Sequence, residues 1–236
     1  MESLKNVRTI TVESKEQGAE EICKIVRNEL EAGRLHVLGL ATGSTMEPVY
    51  EKMAASDMDF TDVTAFNLDE YIGIPADHKN SYAYYMNDLL FSKKPFKETH
   101  IENGMAEDLD AECVRYETLL KENPLDIQFL GIGENGHIAF NEPGTSPESV
   151  THVVELTQST IDVNSQYFSE DETMPTTALT MGISSIMQAK KLIVAAFGEK
   201  KRAALEKLFA GKVTTEWPVT YLLEHPDVTV VTDLKL

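Results

Sequence analysis

Three places in the sequence combine reactive side chains with the end of an apolar run. In "FNLDEYIGIPADHKNSY", Phe66 to Tyr82, such a run delivers Asp69 and Glu70 just ahead of a Gly/Pro loop. A carboxylate at the carboxyl end of a buried strand is partly desolvated, which raises its pKa and makes it a usable base. Either acid could equally cap the next turn. In "GIGENGHIAFNEPG", Gly131 to Gly144, His137 lies between Asn135 and Glu142. Histidine exchanges protons near neutral pH, and a carboxylate beside its ring would orient it and fix its tautomer. In "ATGSTMEP", Ala41 to Pro48, small residues precede a helix start. Backbone N–H groups and the helix N-terminus there suit a phosphate, although an ordinary capped turn has the same composition.

The His137 stretch also spells G-x-G-x-x-G through Gly131, Gly133 and Gly136, with Glu155 loosely placed as the acid of a dinucleotide fingerprint. That fingerprint needs a packed helix after its last glycine, and Pro143 and Gly144 break the chain first. A catalytic loop fits better than a cofactor cradle, and no cofactor is expected. Nor is a metal expected, because His137 with Glu142 and the scattered His36, His78, His100, His152 and His225 lack helical ligand spacing.

The elements that must carry these loops alternate from end to end. Strands are predicted at Arg8 to Val12, His36 to Ala41, Asp62 to Leu68, Leu125 to Gly133, Thr151 to Leu156, Lys191 to Gly198 and Asp227 to Asp233. Several are apolar throughout, as parallel strands covered on both faces are. Ser14 with Gln17 forms a capping box for a first helix, and Thr45 is placed to cap a second with Pro48 in its first turn. Further helices are predicted at Ser81 to Ser92, Asp108 to Glu122, Thr160 to Phe168, Gly182 to Ala189 and Glu199 to Ala210. The pattern predicts one α/β domain over 1–236, a doubly wound, Rossmann-like and mostly parallel sheet with helices on both faces, whose ligands sit beyond the carboxyl ends of the strands.

With 39 acidic against 21 basic residues, the formal charge of -18 opposes nucleic acid and anionic membranes. No stretch approaches the roughly 18 apolar residues of a membrane span, and the N-terminus has no apolar signal segment. Cys23 and Cys113 have no ligand spacing and read as buried free thiols suited to a reducing compartment. A soluble cytoplasmic protein is expected.

Together, "GLATGSTMEPVY", "FNLDEYIGI" with "SYAYYM", "GIGENGHIAFNEPGT", "ALTMGISSIMQAK" and "FGEKKRAAL" resemble the glucosamine-6-phosphate deaminase family in order and spacing over nearly the whole chain. The related 6-phosphogluconolactonases share the core around the histidine but not "HIAFNEPG". The resemblance implies a metal-free, reversible conversion of an amino-sugar phosphate and water to fructose 6-phosphate and ammonia. It implies ring opening by His137, supported by Glu142 and Asn135, and proton transfer from C2 to C1 by Asp69. It also implies phosphate binding by Thr42, Gly43, Ser44, Thr45 and Lys201.

The sequence departs from the family at Gln166, where an arginine usually grips the phosphate. A neutral amide lacks both charge and fork, so weaker phosphate binding is expected unless Arg202 or another cation compensates. The chain also ends soon after "TVVTDLKL", whereas hexameric regulated members extend further, so a monomer or small oligomer without that regulation is expected. Two alternatives remain at this stage: another substrate such as galactosamine 6-phosphate, or a non-catalytic sugar-phosphate sensor.

Overall fold

The structure, a computed structural model, describes residues 4–169 and 172–236. In chain order it runs β1 (Val7–Thr11), α1 (Lys15–Glu31), β2 (Val37–Leu40), α2 (Glu47–Ala55), β3 (Phe60–Asn67), β4 (Asp69–Tyr71) and α3 (Tyr82–Met86). There follow β5 (Phe96–His100), α4 (Leu109–Glu122), β6 (Ile127–Gly131), β7 (His152–Glu155), α5 (Gln158–Asn164) and β8 (Thr177–Thr180). α6 (Ile183–Met187), β9 (Lys191–Ala196), α7 (Arg202–Phe209) and β10 (Val228–Thr232) complete the chain. No helix among the described residues is long and apolar enough to cross a membrane.

Seven strands form one sheet in the order β1-β10-β9-β6-β2-β3-β5, with every pairing parallel. The central strands β2 and β10 are buried along their whole length, which explains their unbroken apolar character. From β2 the chain winds outward through β3 and β5, then crosses back to β6 on the other side of β2 and continues through β9 and β10. The winding therefore reverses between β2 and β6, and ligands in such sheets bind in the crevice beyond the strand ends at that point. The loops leaving β2 and β6 are those of Thr42 and His137.

The sequence reading missed a second, antiparallel sheet of three strands in the order β4-β8-β7. The stretch from Thr151 to Leu156, expected in the parallel sheet, pairs instead with β8. Thr180 at the end of β8 lies opposite both Asp69 and His152. The small sheet thus clamps the segment that carries Asp69, and it has its own apolar cluster of Tyr71, Phe140, Leu156 and Ala178.

Two capping expectations need correction. Ser14 Oγ does accept from the backbone N–H of Gln17 at 3.2 Å, but the Gln17 side chain accepts from Glu13 N rather than Ser14 N. Thr45 does not cap α2, whose first residue follows Met46 and which has no side-chain cap. Met46 N instead donates to Gly43 O at 2.9 Å, so the loop closes on its own backbone and leaves the Thr45 side chain at the cleft.

Candidate active site

A cleft of about 530 Å³ opens beyond the carboxyl ends of β2, β3 and β6. Asp69, Asn135, His137, Lys201 and the whole of Thr42 to Thr45 line it, so the chain-distant loops do converge.

The two adjacent acids have separate roles. Glu70 accepts backbone N–H bonds from Tyr71 at 2.8 Å, Tyr82 at 3.0 Å and Ala83 at 2.9 Å, so it caps the start of α3. Asp69 is 6 % exposed, and among the described residues its carboxylate accepts no hydrogen bond. Burial, and then the neighbouring Glu70 charge, push its pKa up to about 8. A carboxylate with free lone pairs, little water and a pKa near neutrality is suited to taking a proton from carbon.

On the facing loop, Glu142 Oε1 lies 3.3 Å from His137 Nδ1. Burial alone would raise the Glu142 pKa. The histidine, Asn135 and Thr160 outweigh it and hold the carboxyl down at about 2. Asn135 Nδ2 donates to Glu142 Oε2 at 2.7 Å, and Thr160 Oγ1 on α5 donates to Oε1 at 2.9 Å. Asn135 Oδ1 in turn accepts from the backbone N–H of His137 at 3.2 Å, so one amide fixes both partners.

The loop is anchored by residues the sequence reading did not single out. Fully buried Asn141 donates to the carbonyls of Ile138 at 3.0 Å and Met181 at 2.8 Å, and Phe140 N donates to Thr180 Oγ1 at 3.2 Å. Ala139 sits at φ 51°, in the left-handed region, a strained backbone between the histidine and these anchors. Gly136 opens no helix; the chain after it turns, with an isolated bridge between Ile138 and Asn141.

Gly133 makes room for the histidine. A Cβ built there would lie 2.4 Å from the His137 ring, so only glycine lets the imidazole rest against that backbone. Gly133→Ala is expected to tilt the ring and lower kcat by up to about 10²-fold, the scale of an ångström-sized misplacement. Steady-state kinetics together with unchanged far-UV circular dichroism would check it.

At the other end of the cleft, the Tyr85 hydroxyl donates to Gly43 O at 2.9 Å and Lys15 Nζ to Ser44 O at 2.9 Å, holding the hydroxyl-rich loop. Lys201 lines the cleft, makes no ion pair among the described residues, and has its pKa lowered by burial. Lys79 also lines it, but 3.2 Å from Glu172. Gln166 is exposed, donates to Val163 O at 2.8 Å and is not among the residues that line the cleft. The Arg202 guanidinium is paired with Glu199, and Arg202 is not among the residues that line the cleft.

A family model for glucosamine-6-phosphate isomerases and 6-phosphogluconolactonase matches residues 11–231. A glucosamine-6-phosphate deaminase of Listeria innocua is 52% identical over 227 residues, 96% of this chain and 97% of the relative. One of Enterococcus faecalis is 51% identical over the same shares. Among solved structures, a monomeric glucosamine-6-phosphate deaminase superposes with a TM-score of 0.92 at 40% identity, covering 95% of this chain and 96% of the other. The 6-phosphogluconolactonase of Leishmania guyanensis reaches a TM-score of 0.77 at 20% identity, over 95% of each chain, which is a likeness of fold alone.

Proposed function

The chain belongs to the family of glucosamine-6-phosphate isomerases and 6-phosphogluconolactonases, and from that membership we propose that it converts glucosamine 6-phosphate and water to fructose 6-phosphate and ammonia. The observation that carries this reading is the pairing, across one sugar-sized cleft, of an unbonded Asp69 carboxylate with an imidazole backed by Glu142.

The chemistry follows from these positions. The sugar phosphate binds with its phosphate on the backbone and hydroxyls of Thr42 to Thr45 and on Lys201. His137 relays a proton from the C1 hydroxyl to the ring oxygen, which opens the ring and frees the aldehyde. Asp69 removes the C2 proton, leaving an enolamine, and returns a proton to C1. The resulting C2 imine adds water, and ammonia departs from the adduct to leave the ketone of fructose 6-phosphate. No step calls for a metal, so turnover is expected to survive exhaustive chelation.

The decisive assay measures ammonia and fructose 6-phosphate from glucosamine 6-phosphate, with galactosamine 6-phosphate run beside it. Equal amounts of both products support the proposal. Preference for the second epimer would change the substrate and keep the acid–base set, whereas binding without turnover of either would leave only a sensor.

Lys201 is the cation of this cleft without an acidic partner among the described residues. Lys201→Met removes a charge-assisted contact worth about 1.5–3 kcal/mol. KM is therefore expected to rise about 10- to 100-fold with kcat nearly unchanged, since the phosphate keeps its charge through the reaction. A fall in kcat at constant KM would remove Lys201 from the phosphate site.

A further inference from the structure

Beside the strand that carries Asp69 lies an acid the chemistry above does not use. Glu102 is 1% exposed, and neither of its carboxyl oxygens has a hydrogen-bond partner. Asn67, fully buried two residues before Asp69, also leaves both side-chain polar atoms without a partner. Unbonded buried polar groups are costly and rare, so a cluster of them next to a catalytic base points to a use.

Their proximity follows from the sheet. β5 is the edge strand beside β3, with His100 opposite Phe66. The Tyr116 hydroxyl donates to the carbonyls of Asn67 at 2.6 Å and His100 at 3.3 Å, tying the two strand ends together. Gly104 then approaches so closely that a Cβ there would lie 1.9 Å from Tyr71 O, and Gly73 N donates to Gly104 O at 3.0 Å. Glu102 is therefore buried beside the end of β3 and β4, while Ile101 before it is half-buried and Asn103 after it is exposed.

The charged and titratable groups around Glu102 come from two elements, β4 and α4. Glu70 of β4 is occupied by its three backbone donors. From α4, Tyr116 is bonded as above, Glu112 is paired with Arg115 at 2.6 Å and accepts from Asn103 N at 2.7 Å, and the Cys113 thiol is pushed up to about 11, chiefly by burial. That leaves Asp69 as the neighbouring carboxylate with no donor. Burial, and secondly the Asp69 charge, hold the Glu102 pKa far above the ordinary value, so Glu102 keeps its proton.

We propose that Glu102 is a positioning residue for the base: its buried, unpartnered carboxyl and the unpartnered Asn67 amide are the polar groups beside Asp69 that favour the charge on its carboxylate. A rotamer change or one bridging water would complete the contact. This rests on Asp69 being the base of the proposed deaminase.

Two variants test it, Glu102→Leu and Glu102→Gln. The titration of the Asp69 carboxyl is followed by ¹³C NMR, and the acid limb of kcat/KM is measured alongside. Glu102→Leu is expected to move the Asp69 titration and the acid limb upward by about one pH unit, the effect of losing one favourable dipole. Glu102→Gln, which keeps a donor, should hold both within a few tenths of a unit of the original. A downward shift in both variants would mean that Glu102 is ionised and repels the base, and no shift in Glu102→Leu would mean that it only fills space; either overturns the inference. Because the NMR titration needs no turnover, absence of deaminase activity would defeat the functional reading and still leave this one decidable.

Discussion

Asp69→Asn is expected to lower kcat for ammonia release by roughly 10²–10⁴-fold and, at the same time, to make the folded protein more stable at neutral pH. The first effect follows because the amide cannot accept the C2 proton, while it fills the same space against the same neighbours. The second follows from the sign of the pKa shift. The Asp69 pKa is pushed from an ordinary 3.8 up to about 8, mainly by burial. A carboxyl raised in the folded state favours folding only while it holds its proton, so its burden on stability begins above about pH 4 and grows until about pH 8. Linkage places the ceiling of that burden near 4 kcal/mol at pH 7, and water in the cleft that solvates the carboxylate reduces it to roughly 2–4 kcal/mol. Denaturant unfolding at several pH values should show the original protein losing stability between pH 4 and 8, with a flatter profile for the variant. A less stable Asp69→Asn would contradict the burial argument even if activity were lost.

The same shift shapes the rate profile. In the free enzyme kcat/KM should rise with pH toward about 8, as Asp69 loses its proton. Once the amino sugar is bound, its C2 ammonium lies beside the carboxylate and favours the charged form. The acid limb of kcat is therefore expected at lower pH than that of kcat/KM.

How much of this could be read from the sequence depended on the length and regularity of each element. The unbroken apolar runs of β2, β6, β9 and β10 are legible because those strands are covered on both faces, and their alternation with helices implies the parallel sheet. From there, the expectation that chemistry gathers at strand ends brings Asp69, His137 and Thr42 together. β4 has only three residues, β8 (TALT) has threonines at both ends and no apolar run, and β5 is a polar edge strand, so none of the three was legible. The division of labour between Asp69 and Glu70 was also hidden, because it depends on which side chain meets the N–H groups of α3, twelve or more residues away. Glu102 lies in the polar stretch "KETHIENG", whose composition suggests solvent, and only the packing of Gly104 on Tyr71 buries it. Gln166 was legible as a missing arginine, but not as a side chain turned back to the end of α5.

The second large effect is expected at His137. His137→Gln keeps a polar side chain but cannot relay a proton, and kcat should fall roughly 10²–10⁴-fold with little change in KM. A second observable separates its step from that of Asp69. Glucosamine 6-phosphate carrying deuterium at C2 slows the enzyme only insofar as removal of that hydrogen limits the rate. If His137 opens the ring, its loss makes ring opening the slow step, and the isotope effect on kcat should shrink toward one in His137→Gln. If the imidazole acted in C2 proton removal instead, the isotope effect would persist or grow. Glu142 supplies the internal control. Its carboxyl, held at about 2, stays ionised across the working range, and its contribution to stability is present above pH 4.5 and lost only as pH falls through about 2. Glu142→Gln keeps one acceptor oxygen, enough for Thr160 or Asn135 but not both, and removes the charge beside Nδ1 while the imidazole stays, so its defect should be smaller than that of His137→Gln and share the suppressed isotope effect. A full isotope effect in both variants, with kcat reduced, would assign the histidine and its carboxylate to a different step.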